Sequence, residues 1–395
     1  MLPIQDSFEF DYYGRDIIYG RGRIADIETY LEEKGLNNAL VVCGSNVGSN
    51  EDLMDPLRAG LGDRLNGVFD ETTPNKLIET VYDGIAAMHD TNADVLIGVG
   101  GGSSLDIARQ MSVFKADGRS LDTFREMARE ENFEPPEPMQ PLTSLIVVPT
   151  TFAGADISTR SVVEVLPAEE SPTGQTITGG GSIDPTAMFY DPNLFETTPM
   201  GALAGSAMNG FNKGLERIYS NESTPITDAT AIRGLQMMHD GLPKLPDDAT
   251  AMERAVIGIV LVQFERRLSV IHAFAHGYTR RYPVQQGEIH GILVPHVLRY
   301  IFENTDGRRE LLAEGLGIDP TPLSNLEIAE AIIAEVATVR DSMDLPTRLR
   351  DIDILTDADF PETAEYILND RILPQGPDGL DPTADEIEAV LRDAW

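Results

Sequence analysis

Lysine is almost missing from this chain. Only Lys34, Lys76, Lys115, Lys213 and Lys244 occur in 395 residues, so arginine supplies the other 25 of the 30 basic side chains (30 − 5 = 25). Against 65 Asp and Glu they leave a formal net charge of −35. A surface of that sign repels polyanions, which excludes nucleic acid and anionic membrane as general partners. Abundant carboxylate with scarce lysine is also the composition of a halophilic protein, because in ~1 M salt the screening length shrinks to about 3 Å and self-repulsion costs little. Cysteine is limited to Cys43, which rules out an internal disulfide and sits in an apolar run that reads as buried. Long apolar runs are missing too: nothing approaches the ~18 residues a membrane-spanning helix needs. The opening MLPIQDSFEFDYYGRD has neither a basic start nor an apolar stretch, so no signal peptide is expected and the expected location is cytoplasmic. What is present, 42% hydrophobic and 24% charged residues, is a globular composition long enough for two domains.

The first half alternates short apolar runs with helical patterns. Ala39–Cys43, Val95–Val99 and Leu145–Val148 read as strands, the first ending in the turn-forming Gly44-Ser45-Asn46. Between them, Asn75 to His89 places Leu77, Ile78, Val81, Ile85 and Met88 on one helical face, and Ser103 to Phe114 forms the next helix. Strands alternating with helices predict a parallel sheet with crossover helices. After Tyr190-Asp191-Pro192 the periodicity becomes helical: Ile226–Leu242, Ala251–Leu268, Leu326–Met343 and Thr383–Trp395. The reading is an α/β nucleotide-binding domain over 1–194 and an all-α domain over 195–395, the latter carrying substrate and catalysis.

Two loops carry chemistry. Gly98 to Asp106, GVGGGSSLD, follows a strand and opens a helix. Glycines at Gly100, Gly101 and Gly102 let the backbone approach a pyrophosphate, and the helix start offers free N–H groups and a positive dipole end. Ser103 is expected to cap that helix or donate to a phosphate, and Asp106 to accept from a cofactor hydroxyl or favour the helix start. The second loop, Pro149 to Asp156, puts Thr150 and Thr151 at the carboxyl edge of the next strand.

Gly-Gly-Gly-Ser-x-x-Asp-x-Ala (100–108) and Pro-Thr-Thr-x-Ala-Gly (149–154), with Tyr190-Asp191-Pro192, HAFAHGY from His272 and Leu293-Val-Pro-His296, resemble the motifs of the iron-containing alcohol dehydrogenase superfamily. The resemblance runs in order through nearly the whole chain. It implies a Rossmann-like dinucleotide-binding domain followed by a helical domain, the fold shared with dehydroquinate synthase, and commonly a homodimer.

That superfamily typically holds a divalent metal with one Asp and three His, the first two in a motif resembling Asp-Ala-x-x-His-x-x-Glu. Here the segment is Asn209 to Glu216, with Asn209 at the Asp position and Lys213 at the first His position. His272 stands at the third position, and Gln286-Gly287 at the fourth, where a His-Gly pair is usual. An amide is a poor ligand for a divalent transition metal and an ammonium is repelled by one. No metal is therefore expected, and Lys213 would polarise a carbonyl where the metal otherwise does.

Phe152-Ala-Gly154, Met208-Asn209 and Glu288-Ile-His290 are similar to the maleylacetate reductase branch, which reduces maleylacetate with NAD(P)H; Lys213 and Gln286 depart from it, where that branch keeps histidines. The expected partner is a small anionic oxo-acid, with Arg280 and Arg281, on segments expected to face the interdomain cleft, and Asn209, Gln286 and His290 binding it. His272 or His276 is expected to donate the proton. Gly44 and Asn46 end the first strand without an acidic residue, so NADP is allowed beside NAD and mildly favoured. Competing readings are a metal-dependent alcohol dehydrogenase with a relocated metal site, a nucleotide-binding pseudoenzyme, and a dehydroquinate synthase-like lyase, which the missing ligands disfavour.

Overall fold

The computed structural model describes residues 7–12, 14–248, 250–264 and 268–395. Residues 1–6 and 13 of the opening stretch, where no signal peptide is expected, and residues 265–267 of the helix expected over 251–268 lie outside these. The chain divides into two compact units, Met1–Thr198 and Pro199–Trp395.

The first unit is built on a seven-stranded sheet. Its strands are β1 (Ser7–Tyr12), β2 (Arg15–Gly20), β3 (Ala39–Val42), β4 (Leu65–Phe69), β5 (Val95–Gly100), β6 (Ser144–Pro149) and β9 (Ala187–Tyr190); β7 (Val163–Leu166) and β8 (Ile177–Gly179) form a separate antiparallel pair. The spatial order is β1-β2-β9-β6-β5-β3-β4. Strands β2 to β4 across that order run parallel, six in all, and β1 closes the edge antiparallel to β2. Strands β3, β5 and β9 are buried at every position, because helices cover both faces and no residue can face water. On one face Val41, Ile97, Val99, Ile146 and Phe189 pack with Ile27, Leu31, Leu53, Met54 and Leu57. The sheet strands expected from the sequence are present. The β1–β2 hairpin, β4 and β9 are strands beyond those expected from the sequence.

The chain leaves β3 outward to β4, then crosses back to β5 on the other side of β3. The carboxyl ends of β3 and β5 therefore flank the point where the winding reverses, the usual ligand position of open α/β sheets.

The second unit is helical. Its long members are Met200–Tyr219, Pro225–Gly241, Ala251–Val262, Val270–Thr279, Gln286–Asn304 and Asn325–Ser342, with Phe360–Leu368 and Ala384–Asp393 near the end. No strand occurs among its described residues. The Met200–Tyr219 helix is buried from Leu203 to Tyr219, which suits its Ala- and Gly-rich first half: small side chains let neighbouring helices approach. Gly287 shows how closely. A Cβ placed there would lie 1.5 Å from the carbonyl oxygen of Gly205. No helix among the described residues is long and apolar enough to cross a membrane.

Candidate active site

In the first unit, the loops after β3, β5 and β6 meet. Gly100 has φ +118°, which only glycine adopts without strain, and its missing Cβ faces Val47 at 3.3 Å. Those of Gly101 and Gly102 face Thr151 at 3.5 Å and Ala155 at 3.2 Å, and that of Gly44 faces the Thr72 carbonyl at 3.1 Å. Side chains at these positions would fill the cradle, so the loops fit a pyrophosphate laid on backbone. The Gly102–Asp117 helix begins there, and Gly101 is its N-cap in extended conformation, with no side chain capping it. The capping role expected of Ser103 is thereby corrected: Ser103 lies inside the first turn. Its neighbour Ser104 instead pairs with Thr72, Oγ to Oγ1 at 2.7 Å.

Asp106 is held by two cations. Lys76 Nζ lies 3.2 Å from one carboxylate oxygen and Arg109 Nη1 2.7 Å from the other. Arg109 is fully buried and also donates to the Ala155 carbonyl at 3.2 Å, tying the β5 loop to the β6 loop. Thr150 is buried, its N–H donating to the Gly100 carbonyl at 3.1 Å, while Thr151 is half-buried. Asn46 is exposed in the short Ser45–Gly48 helix, which forms where only a turn was expected. The sequence gives no hint of Lys76, whose partner is 30 residues away.

In the second unit, Asn209, Lys213 and Glu216 follow one another at helical spacing and are all buried. Glu216 is the member that sequence reasoning left without a role. Its Oε1 accepts the backbone N–H groups of Ser269 (3.1 Å) and His272 (2.8 Å), and its Oε2 makes a short contact with His272 Nδ1. The other ring nitrogen of His272 meets Asn209 Oδ1 at 2.9 Å. Burial pushes the Glu216 carboxyl up to about 8, against the lowering effect of its two backbone donors, His276 and Lys213. The raised value favours the protonated carboxyl near neutral pH.

His290 packs against His272 with ring centroids 4.3 Å apart, and Asn212 Nδ2 lies 3.1 Å from its Nδ1. Burial, with His272, His276 and Lys213 nearby, holds its pKa well below the ordinary 6.5, so the ring is neutral. His290 Nε2 and Asn212 Oδ1 are buried without a hydrogen-bond partner among the described residues.

His276 occupies different ground. Its Nδ1 lies 2.8 Å from Asp370 Oδ2, its residue is 9% exposed, and its Nε2 faces Arg280 Nη2 at 3.4 Å. Arg280 Nη1 reaches the same Asp370 oxygen at 3.1 Å. Burial acts to raise the Asp370 pKa, but His276, the Ile372 N–H and Arg280 outweigh it and hold the carboxyl below its ordinary value. Arg281 is turned to Thr363 Oγ1 (2.6 Å) and Glu362 (2.8 Å). Both arginines expected at the substrate thus already serve internal acceptors. Gln286 opens the Gln286–Asn304 helix, half-buried, beside the Gly287 contact with Gly205.

The donor set does not fit a divalent transition metal. His272 Nε2 is engaged by Asn209, and the remaining family positions offer an amide, an ammonium and another amide. Among the described residues no group of three His, Cys, Asp or Glu is arranged to hold an ion.

A glycine cradle at a sheet switch point and a separate helical unit with clustered histidines are the makings of a dinucleotide-type dehydrogenase. Comparison with known proteins makes this specific. Residues 14–192 match the family described as Iron-containing alcohol dehydrogenase, and residues 203–395 match Fe-containing alcohol dehydrogenase family, C-terminal. The chain belongs to the iron-containing alcohol dehydrogenase family and is an oxidoreductase. It is 25% identical over 340 residues to the NAD-dependent methanol dehydrogenase of Bacillus methanolicus, covering 84% of this chain and 86% of that one. It is 24% identical over 355 residues to maleylacetate reductase 1 of Cupriavidus pinatubonensis, covering 88% and 90%. The crystal structure of a 1,3-propanediol oxidoreductase superposes with a TM-score of 0.84 at 24% identity, over 96% of this chain and 97% of that one, a likeness of fold.

Proposed function

We propose that this protein is a metal-independent, NAD(P)H-dependent reductase of a small carboxylated carbonyl compound, similar to maleylacetate reductase. The observation that carries the reading is Lys213, buried to 3% exposure at a position where family members place a metal-binding histidine. An ammonium enclosed there stabilises the oxyanion that develops as a carbonyl is reduced, and the low surrounding dielectric strengthens the effect. Gly100, Gly101, Gly102, Thr151 and the start of the Gly102–Asp117 helix would hold the dinucleotide phosphates, with Gly44 leaving room at the ribose. A nicotinamide bound there supplies hydride. His276 delivers the proton: it is the least enclosed of the three clustered histidines, 9% exposed against 1% for His272 and none for His290, and its Nε2 faces the exposed Arg280 where His272 Nε2 is held by the buried Asn209. The absence of an acidic residue after β3 favours NADPH. What supports an oxo-acid is the likeness of Phe152-Ala-Gly154, Met208-Asn209 and Glu288-Ile-His290 to maleylacetate reductase motifs; overall identity does not distinguish that enzyme, at 24%, from the methanol dehydrogenase, at 25%.

The test joins elemental analysis of protein purified in high salt with NADPH oxidation against maleylacetate and other oxo-acids. The expected result is turnover without stoichiometric metal, and a loss of about 10²- to 10³-fold in kcat for Lys213→Met, the usual effect of removing one oxyanion-stabilising donor. Stoichiometric zinc or iron would overturn the lysine mechanism. Metal-free protein that binds NADPH and reduces nothing would overturn the reductase reading.

A further inference from the structure

Arg280 is placed where it controls His276. A guanidinium has only donors, so the ring nitrogen facing it at 3.4 Å presents its lone pair, and the ring proton lies on Nδ1, donated to Asp370. In this arrangement Nε2 has no proton to give. A protonated Nε2 would point its N–H at another N–H, so the two states, Arg280 on Nε2 and a proton on Nε2, exclude each other. Arg280 is also the exposed partner, with solvent to turn into. Its side chain is 43% exposed, whereas that of Asp370 is fully buried and fixed by the Ile372 N–H at 3.1 Å. Beside it lies a cavity of about 540 Å³, lined by Arg280, Arg371, Tyr366, Asn369, Asp370 and two glutamates. One glutamate, Glu362, is paired with Arg281, and Asp370 is shared by His276 and Arg280. Arg280 and Arg371 are the cations facing this space, and Glu365 is the one further carboxylate on its lining.

We propose that the cavity is a carboxylate subsite in which Arg280 binds a carboxylate of the substrate and, by turning to it, uncovers Nε2 of His276. Arg280 is thus a specificity-determining residue and Asp370 the positioning residue that keeps the His276 ring oriented in both states. The inference rests on the reductase reading above and names how its substrate is recognised. With Arg280 turned away, Nε2 takes a proton from solvent. His276 then gives it to the substrate oxygen as the carbonyl carbon receives the cofactor's hydride, leaving an alcohol, oxidised cofactor and a neutral imidazole. A neutral carbonyl compound offers Arg280 no partner, and the proton donor stays covered.

The experiment uses full-length protein in two ways. First, kcat/KM is compared for an oxo-acid and an uncharged carbonyl compound of the same length. In Arg280→Met the ratio of the two is expected to fall at least ten-fold, with Arg280→Lys restoring part of it. An unchanged ratio overturns the proposal. Second, succinate, which cannot be reduced, is titrated into protein with ¹⁵N-labelled histidine. The His276 Nε2 resonance is expected to move in the wild type and to stay in Arg280→Met. A shift that persists in the variant, or is missing from the wild type, overturns the subsite. Because this readout needs no turnover, a succinate response in a protein that reduces nothing would refute the reductase reading while leaving the subsite standing.

Discussion

Three buried histidines stand close together, yet each is tied to a different partner and so to a different chemistry. His272 is locked between Glu216 and Asn209, His276 rests on Asp370, and His290 is hydrogen-bonded to Asn212. His290 makes a prediction about pH. Its pKa in the fold lies well below 6.5, so the native ring stays neutral while the unfolded chain takes up a proton below about 6.5. The stability this contributes is present above that value and is lost as pH falls. Glu216 runs the other way: its raised pKa means that acidification from about 8 downward favours the fold. The wild-type profile mixes the two, but the difference between wild type and His290→Asn separates them. The variant should gain on the wild type from pH 7 to pH 5, by at most about 1.4 kcal/mol per pH unit. Chemical denaturation at three pH values measures it, and parallel profiles would show that the ring titrates normally. Lys213 and His272 stood out as candidates because their segments resemble the family's ligand motifs. Asn212 and Asp370 did not: nothing local singles out one of 65 acidic residues, and Asp370 meets a histidine 94 positions earlier, while Glu216 closes the motif-like segment without any role being evident there.

At the scale of the element, the Met200–Tyr219 and Gln286–Asn304 helices cross where Gly287 lies on the backbone of Gly205. The histidine usual before this glycine is gone, but the glycine itself has a steric duty independent of any metal. Gly287→Ala forces the helices apart, and overpacking of this kind costs about 1–3 kcal/mol or more. Thermal unfolding should show a loss of several degrees in melting temperature; an unchanged value would mean the crossing relaxes freely. Strands β3, β5 and β6 were readable because burial on both faces leaves uninterrupted apolar runs. Strand β4, LNGVF, sits at the sheet edge with exposed positions and a glycine, which erases that pattern. Strand β9 escaped because it pairs with β2, some 170 residues distant, and local sequence does not encode so remote a partner. The turn expected at Gly44–Asn46 continues into a helical turn, closed by the Gly48 and Ser49 N–H groups on the Gly44 and Ser45 carbonyls at 2.9 and 3.0 Å.

For the whole molecule, the dominant quantity is the formal charge of −35. Self-repulsion over a folded surface weakens as the screening length falls from about 10 Å in 0.1 M salt to about 3 Å in 1 M. Stability is therefore expected to rise with KCl concentration, read as melting temperature from 0.1 to 2 M. A flat or falling profile would show that the ion pairs, many of them between arginines and surface carboxylates, matter more than the excess charge.

The sequence by itself determined the class of this protein. Glycine loops at strand ends and helical periodicity after residue 192 are local facts, set by neighbours within a few residues; they suffice for the arrangement of α/β before α, and the resemblance of the ordered motifs supplies the family. The tertiary structure decided which charges meet: Lys76 with Asp106, Glu216 with His272, Asp370 with both His276 and Arg280. Such pairings depend on the direction of single side chains from elements far apart in the chain. A hydrogen bond is won or lost within a few tenths of an ångström, a precision that packing supplies and composition and spacing do not carry.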